Sequence, residues 1–129
     1  MTIKNIFVIG AGTMGNGIAQ VAATSGYQVT CMDVQPAALE KAKATIAKST
    51  AKLLEKGTLT QEQKTSADAI QFVTNMDMMK EADLVIEAAT EGALILARAY
   101  RNSDVLLTVG DELEAIVIEA LRLDSRKGP

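Results

Sequence analysis

The sequence predicts an α/β fold, a doubly wound parallel sheet of about five strands with helices packed on it. Two observations support this prediction. Short β-branched and apolar runs alternate along the chain with longer segments of helical periodicity. A glycine-rich turn also stands directly after the first apolar run. Because alternating strands and helices favour parallel pairing through right-handed crossovers, we expect the strand order 3-2-1-4-5.

The predicted strands are short and are bounded by turn residues. The first run, IKNIFVI, stops at Gly10, and the second, YQVTCMD, stops at Asp33. The run ADLVIEAA is the most apolar of those that follow. The five predicted strands cover residues 3–9, 27–33, 70–74, 82–89 and 104–110.

Helices are predicted between these strands. The first ends at Gly26, a residue type that suits a helix C-cap. Thr60 and Gln63 have the spacing of a capping box, so a new helix is expected to begin there. Together with the preceding helix it would form a helical hairpin between strands 2 and 3. The predicted helices cover residues 14–26, 36–56, a segment starting at 60, 91–102 and 111–123.

Composition excludes several classes of function. The 129 residues are 48% hydrophobic and 22% charged, as in a soluble globular protein, and residues 1–129 are expected to form one domain. The net charge of −3 provides no basic patch for nucleic acid, and no apolar run approaches the ~20 residues that span a bilayer. No signal peptide or metal motif is evident, and the single Cys31 suits a reducing compartment. We therefore expect a cytoplasmic protein that binds neither nucleic acid nor a membrane.

The glycine turn follows the first predicted strand and reads GAGTMG. Gly10 would permit a tight turn, Gly12 a close approach of the backbone to a pyrophosphate, and Gly15 close packing of the helix on the strand. The phosphates would then lie against unpaired N–H groups at the positive end of the helix. Because the turn connects a strand to a helix, it predicts a Rossmann-like dinucleotide site. A glycine turn of purely structural use is the alternative.

Asp33 ends the second predicted strand, where a carboxylate can accept hydrogen bonds from the hydroxyls of an adenosine ribose. A carboxylate there would repel a 2′-phosphate, and the following residues, VQPA, include no arginine to bind one. These features favour NAD over NADP. The alternative is that Asp33 serves as a helix cap before Pro36.

Taken together, the motifs resemble the short-chain 3-hydroxyacyl-CoA dehydrogenases, particularly the bacterial 3-hydroxybutyryl-CoA dehydrogenases. The resemblance covers residues 1–91 and rests on VIGAGTMGNGIAQ, on MD at 32–33, on a helical hairpin closing with LLEKG, and on ADLVIEAATE. It implies a Rossmann domain that binds NAD. In the family this domain works with a helical C-terminal domain to oxidise L-3-hydroxyacyl-CoA to 3-ketoacyl-CoA.

The resemblance also implies which residues bind the cofactor. Asp33 would hold the adenosine ribose. Ala88, Ala89 and Glu91, after the fourth strand, would line the nicotinamide side. The dinucleotide loop would consist of Gly10, Ala11, Gly12, Thr13, Met14 and Gly15.

The family receives coenzyme A at the helical hairpin. At helical spacing, Lys48, Lys52 and Lys56 fall in one stripe that could meet the phosphates of a CoA thioester. Glu55 lies inside the same stripe, and lysines on an exposed helix often serve only to solvate it. A solvated face is therefore the alternative.

The resemblance stops at Glu91. Residues 92–129 show neither the serine-rich segment nor the His–Glu pair of the family, and the chain contains no histidine. No catalytic residue is predicted, and we expect a truncated or chimeric NAD-binding domain, inactive alone, that self-associates through uncovered apolar surface. Two alternatives remain: part of an active dehydrogenase completed by another chain, and a structural scaffold with an empty site.

Overall fold

The structure is a computed structural model that describes residues 3–88 and the backbone of residues 95–99. Within residues 3–88, strands alternate with helical segments as the sequence predicts, and a 3₁₀ helix at Asp77–Glu81 leads into the fourth strand. The elements are β1 (Asn5–Ile9), α1 (Thr13–Thr24), β2 (Gln28–Met32), α2 (Pro36–Glu55), α3 (Gln61–Asp68), β3 (Gln71–Val73), β4 (Leu84–Ala88) and β5 (Ile95–Ala99).

Four of the strands form a parallel sheet in the order β3-β2-β1-β4, which confirms the predicted order for this part of the sheet. In the register of the sheet, Ile9 at the end of β1 lies opposite Met32 in β2 and Glu87 in β4. The carboxyl ends of these three strands therefore meet at one edge. Gly10 and Asp33, which follow β1 and β2, lie at this edge together with the end of β4.

The strand β5 corrects the sequence prediction. It pairs with β4 in the antiparallel sense, with Ala88 opposite Ile95 and Leu84 opposite Ala99, so the predicted helix over residues 91–102 is wrong for 95–99. The segment ILARA is built from helix-forming residues, but it is too short for periodicity to decide, and pairing with a buried strand overrides propensity. No parallel fifth strand occurs in the described part of the chain. The predicted strand at 104–110 and helix at 111–123 lie outside it.

The main core lies between the sheet and the three helices. Because successive side chains of a strand point to opposite faces, alternate residues of β1, β2 and β4 face α1, α2 and α3. Side chains of this core include Val8, Ile18, Cys31, Ile46, Ala67 and Ile86. A smaller buried cluster on the opposite face contains Phe7, Met32, Ala82 and Val85, with Met79 of the 3₁₀ helix packed against it.

The helical hairpin between β2 and β3 is formed by α2 and α3, as predicted. After α2 the amide groups of Gly57 and Thr58 donate to the carbonyls of Leu54 and Leu53, the pattern of a Schellman motif. At the start of α3, Gln63 N donates to Thr60 Oγ1 over 3.1 Å and Thr60 N donates to Gln63 Oε1 over 2.9 Å. This reciprocal pair confirms the predicted capping box.

Polar side chains connect the hairpin to α1. The amide of the buried Gln20 donates to Ser49 Oγ of α2 over 3.1 Å, and Gln63 Nε2 donates to the carbonyl of Thr24 over 3.3 Å. Both bonds are made in the carboxyl-terminal half of α1. Neither of them covers the glycine-rich amino terminus of that helix. None of the described helices combines the length and the hydropathy of a membrane span.

Candidate dinucleotide site

The site begins at the turn between β1 and α1. Gly10 N donates to the carbonyl of Met32 over 2.7 Å, so the turn is attached to β2. Gly10 has φ +103°, and a Cβ atom added to it would lie 2.7 Å from the carbonyl oxygen of Ala88. Both the backbone conformation and the space at this position therefore require glycine.

Gly15 lies directly over the end of β1. A Cβ atom added to Gly15 would overlap the carbonyl oxygen of Gly10 and would lie 3.7 Å from Ala88 Cβ. The close packing of helix on strand that the glycine spacing predicts is therefore present. It brings the first turn of α1 against the ends of both β1 and β4.

The amino terminus of α1 presents uncapped backbone. Gly12 is the N-cap, in an extended conformation, with no side-chain hydrogen bond and no acidic residue in the first turn. The first intrahelical bond runs from Asn16 N to the carbonyl of Gly12 over 2.8 Å. The amides of Thr13, Met14 and Gly15 thus precede the first helical bond, and such amides together with the helix dipole attract anions.

Asp33 follows β2 and its half-buried carboxylate reaches the glycine turn. Oδ2 accepts a hydrogen bond from Ala11 N over 3.0 Å, and Oδ1 accepts one from Gln35 N over 2.9 Å. The N-cap of α2 is Gln35, without a side-chain capping bond, so Asp33 does not cap that helix. The bond to Ala11 was not predicted from the sequence. The signal for it is the register, which places the residues after Ile9 and Met32 side by side.

Cys31 lies beneath the turn with its side chain fully buried. Its Sγ is 3.9 Å from the carbonyl oxygen of Gly10, in the position of a weak donor. Burial, together with the nearby negative charge of Asp33, raises the pKa of the Cys31 thiol to about 12. The thiol is therefore protonated at neutral pH and packs as a small apolar group, not as a nucleophile.

The remaining predicted residues are divided between described and undescribed parts of the chain. Ala88 ends β4 and contacts the glycine turn, whereas Ala89 and Glu91 lie outside the described residues. Lys48, Lys52 and Lys56 are exposed and belong to α2 or directly follow it. Because α2 begins close to Asp33 and is about 30 Å long, Lys56 lies at its far end from the glycine turn.

Two cavities of about 330 Å³ occur elsewhere in the described part of the chain. One is lined by residues near the amino ends of the strands, including Tyr27, Thr30 and Gln71, and the other by residues including Leu39 and Phe72. Neither is lined by the glycine turn. Among the described residues, no group of three or more histidine, cysteine or carboxylate side chains could hold a metal ion.

Comparison with known proteins agrees with this geometry. Residues 5–107 match the family model of the 3-hydroxyacyl-CoA dehydrogenase NAD binding domain. A probable 3-hydroxybutyryl-CoA dehydrogenase of Deinococcus radiodurans is 47% identical over 68% of this chain and 32% of its own length. A probable 3-hydroxybutyryl-CoA dehydrogenase of Bacillus subtilis is 38% identical over 81% of this chain and 37% of its own length.

A solved structure of a 3-hydroxybutyryl-CoA dehydrogenase is also similar to this chain. The (S)-3-hydroxybutyryl-CoA dehydrogenase of Ralstonia eutropha superposes with a TM-score of 0.64 at 39% identity, covering 89% of this chain and 38% of the other. The family match continues to residue 107, so the expectation that the resemblance stops at Glu91 is wrong for residues 92–107. The chain spans about a third of the length of these relatives. It belongs to the 3-hydroxyacyl-CoA dehydrogenase family and corresponds to the NAD-binding domain of that family.

Proposed function

We propose that this chain binds NAD(H) through the turn at residues 10–15, as the cofactor half of a 3-hydroxyacyl-CoA dehydrogenase. One observation carries the proposal: the glycine turn, the uncapped start of α1 and the Asp33 carboxylate converge at one edge of the sheet. The turn offers backbone amides to the pyrophosphate, and Asp33 accepts from the adenosine ribose. The resemblance to the family assigns the nicotinamide side to Ala88, at the end of β4, and to Ala89 and Glu91.

The cofactor is NAD in preference to NADP. A 2′-phosphate on the adenosine ribose would meet the negative charge of Asp33, and the segment VQPA that follows contains no lysine or arginine to compensate it. Two backbone N–H groups already donate to the Asp33 carboxylate. Its two oxygens offer about four lone-pair positions, so about two acceptor positions remain available. Ribose hydroxyls can therefore bind there as well.

The chain is proposed to bind the cofactor without completing the reaction. NAD would accept the hydride when an L-3-hydroxyacyl-CoA is oxidised to the 3-ketoacyl-CoA. A histidine most often moves the accompanying proton in such reactions, and this sequence has none. Cys31 is buried and protonated, so it offers no substitute. The catalytic groups would therefore come from outside these 129 residues.

Coenzyme A binding is the second part of the proposal. The exposure of Lys48, Lys52 and Lys56 is compatible with a surface that meets the phosphates of CoA. Glu55 is exposed in the same stripe, which fits a merely solvated helix face equally well. Replacing the three lysines with glutamine should weaken binding of CoA, but not of NADH, if the stripe has this role.

The test of NAD(H) binding is thermal unfolding with and without NADH and NADPH, followed by circular dichroism because the chain has no tryptophan. A ligand at a hundredfold excess over its Kd stabilises the folded state by about 2.7 kcal/mol, which raises the Tm of a domain of this size by several degrees. We expect this rise with NADH, a smaller one with NADPH, and none with NADH in Asp33→Ala. Asp68→Ala, which removes an exposed carboxylate from α3, is the matched control.

Other outcomes favour the alternatives. If no nucleotide changes the Tm, the glycine turn is architectural and the chain is a scaffold. If NADH is oxidised with acetoacetyl-CoA when a separately made helical domain is added, the chain is one part of a complete enzyme. Sedimentation of the chain alone tests the predicted self-association, which a monomer at high concentration would exclude.

A further inference from the structure

We propose that Asp33 is also a positioning residue, whose carboxylate holds the glycine turn in its pyrophosphate-binding shape whether or not a ribose is present. This inference rests on the proposed function. It assigns to Asp33 a role that recognition of ribose hydroxyls does not include. It also predicts an effect of Asp33 on ligands that lack those hydroxyls.

The peptide group between Gly10 and Ala11 is fixed at both of its ends. Its carbonyl oxygen lies against Gly15 and 3.9 Å from Cys31 Sγ, and its N–H donates to Asp33 Oδ2 over 3.0 Å. Ala11 is buried, so its N–H needs a partner within the protein. The carboxylate supplies that partner, and rotation of the peptide plane would break its contacts at both ends.

The carboxylate is itself oriented from the other side. Gln35 N donates to Oδ1 over 2.9 Å, and the backbone N–H of Asp33 donates to the carbonyl of Val73 over 3.1 Å. The side chain is therefore held between the turn after β1 and the turn after β2. Hydrogen bonds to a charged acceptor are stronger than those between neutral groups, which suits a positioning role.

Recognition of ribose and positioning of the turn make opposite predictions for one ligand. The compound 2′,3′-dideoxyadenosine 5′-diphosphate keeps the pyrophosphate and lacks both ribose hydroxyls. If Asp33 acts only on the hydroxyls, removing its negative charge should leave binding of this ligand unchanged or tighter, because a carboxylate repels phosphate. If Asp33 positions the turn, the same change should weaken binding.

Isothermal titration calorimetry with dideoxy-ADP therefore separates the two roles. We expect Asp33→Ala to raise Kd about tenfold, the effect of losing one charge-assisted hydrogen bond. Asp33→Asn keeps one oxygen that can accept from Ala11 N, but its NH2 group then faces the Gln35 N–H, so its Kd should rise less than that of Asp33→Ala. Asp68→Ala, which removes a carboxylate bonded to Lys64 on α3, should have no effect. Equal or tighter binding by Asp33→Ala would overturn the proposal.

Amide hydrogen exchange of the ligand-free protein provides the second measurement. The Ala11 amide should exchange at least about tenfold faster in Asp33→Ala than in the unmodified chain and in Asp33→Asn, while the amide of Val8 in β1 stays protected. Unchanged exchange at Ala11 would overturn the positioning role. If Asp33→Ala does not fold, Asp33→Ser, whose shorter side chain cannot reach Ala11, replaces it.

Calorimetry and hydrogen exchange together distinguish a failure of the proposed function from a failure of this inference. If the unmodified chain binds neither NADH nor dideoxy-ADP, the proposed function is wrong, and exchange at Ala11 alone decides whether Asp33 positions the turn. If NADH binds but the variants leave both dideoxy-ADP affinity and Ala11 exchange unchanged, the proposed function stands and this inference is wrong.

Discussion

Gly15 at the start of α1 and Gly10 at the end of β1 are in direct backbone contact, because a Cβ atom on Gly15 would overlap the carbonyl oxygen of Gly10. The first turn of the helix is therefore pressed against the end of the central strand. The obstructing atom belongs to the backbone, so no change of rotamer can relieve the overlap. This contact sets the position of the uncapped amides relative to the sheet.

The first prediction concerns this contact. Gly15→Ala should lower the free energy of unfolding by about 3 kcal/mol, because the helix must move away from the strand. Urea unfolding measures the change. Gly57→Ala is the control, since Gly57 has φ +77° with open space around it and should cost only about 1 kcal/mol. Equal losses for the two variants would contradict the packing role of Gly15.

A second prediction concerns the pH dependence of stability. The pKa of Cys31 is raised from the ordinary value of 9.0 to about 12 in the folded state, so the folded chain keeps this proton at a pH where the unfolded chain has lost it. The stabilisation is complete below pH 9 and is lost as the pH rises from 9 towards 12, by up to about 1.4 kcal/mol per pH unit. Unfolding by urea at pH 8, 9 and 10 measures it.

Cys31→Ala is the control for this pH effect, because it removes the thiol and leaves the other titrating groups in place. Its stability should fall less steeply between pH 9 and 10 than that of the unmodified chain. Parallel pH profiles for the two proteins would show that the thiol does not titrate as stated. The native thiol should also resist iodoacetamide at pH 8 until the chain unfolds.

A third prediction concerns Asp83, which is buried directly before β4. Its Oδ2 accepts hydrogen bonds from the backbone amides of Lys4 and Asn5, each over 3.0 Å, and thereby attaches the beginning of β1 to β4. Asp83→Ala would leave two amides without this acceptor and should cost about 2–4 kcal/mol of stability. Asp83→Asn keeps an acceptor oxygen and should cost less. A larger loss for Asn than for Ala would contradict this account.

A fourth prediction concerns the capping box. Thr60→Ala removes the acceptor for Gln63 N at the first turn of α3 and should cost about 1 kcal/mol. Gln63→Ala should cost more, because Gln63 also donates to the carbonyl of Thr24 in α1. Thermal unfolding of the two variants and of the exposed control Thr58→Ala measures these effects. If Thr58→Ala lowered the stability as much as Thr60→Ala, the stabilising role of the capping box would be contradicted.

Local signals made much of the fold predictable. The turn at Gly10, the end of α2 at Gly57 and the capping box at Thr60 are specified by residues within a few positions of each other, and all three are present. The sequence predicts a helix in place of β5 because five residues are too few to distinguish helical from strand periodicity, and the pairing with β4 is not visible in the local sequence. The bond from Ala11 to Asp33 is likewise not predictable from the local sequence. It joins residues brought together only by the register of β1 and β2.

The order of the sheet also determines when it can form during synthesis. β1 is the central strand, and its partners β2 and β4 begin at Gln28 and Leu84, so one side of β1 has no neighbour until most of the described chain exists. At roughly 5–20 residues per second, the ribosome needs roughly 4–16 s to travel from β1 to β4. During that interval β1 can pair with β2 on one side only. Such long-range parallel pairing is also intrinsically slow to form. The nascent chain therefore passes through a period in which an incomplete sheet, with an open strand edge, is exposed to aggregation and to chaperones.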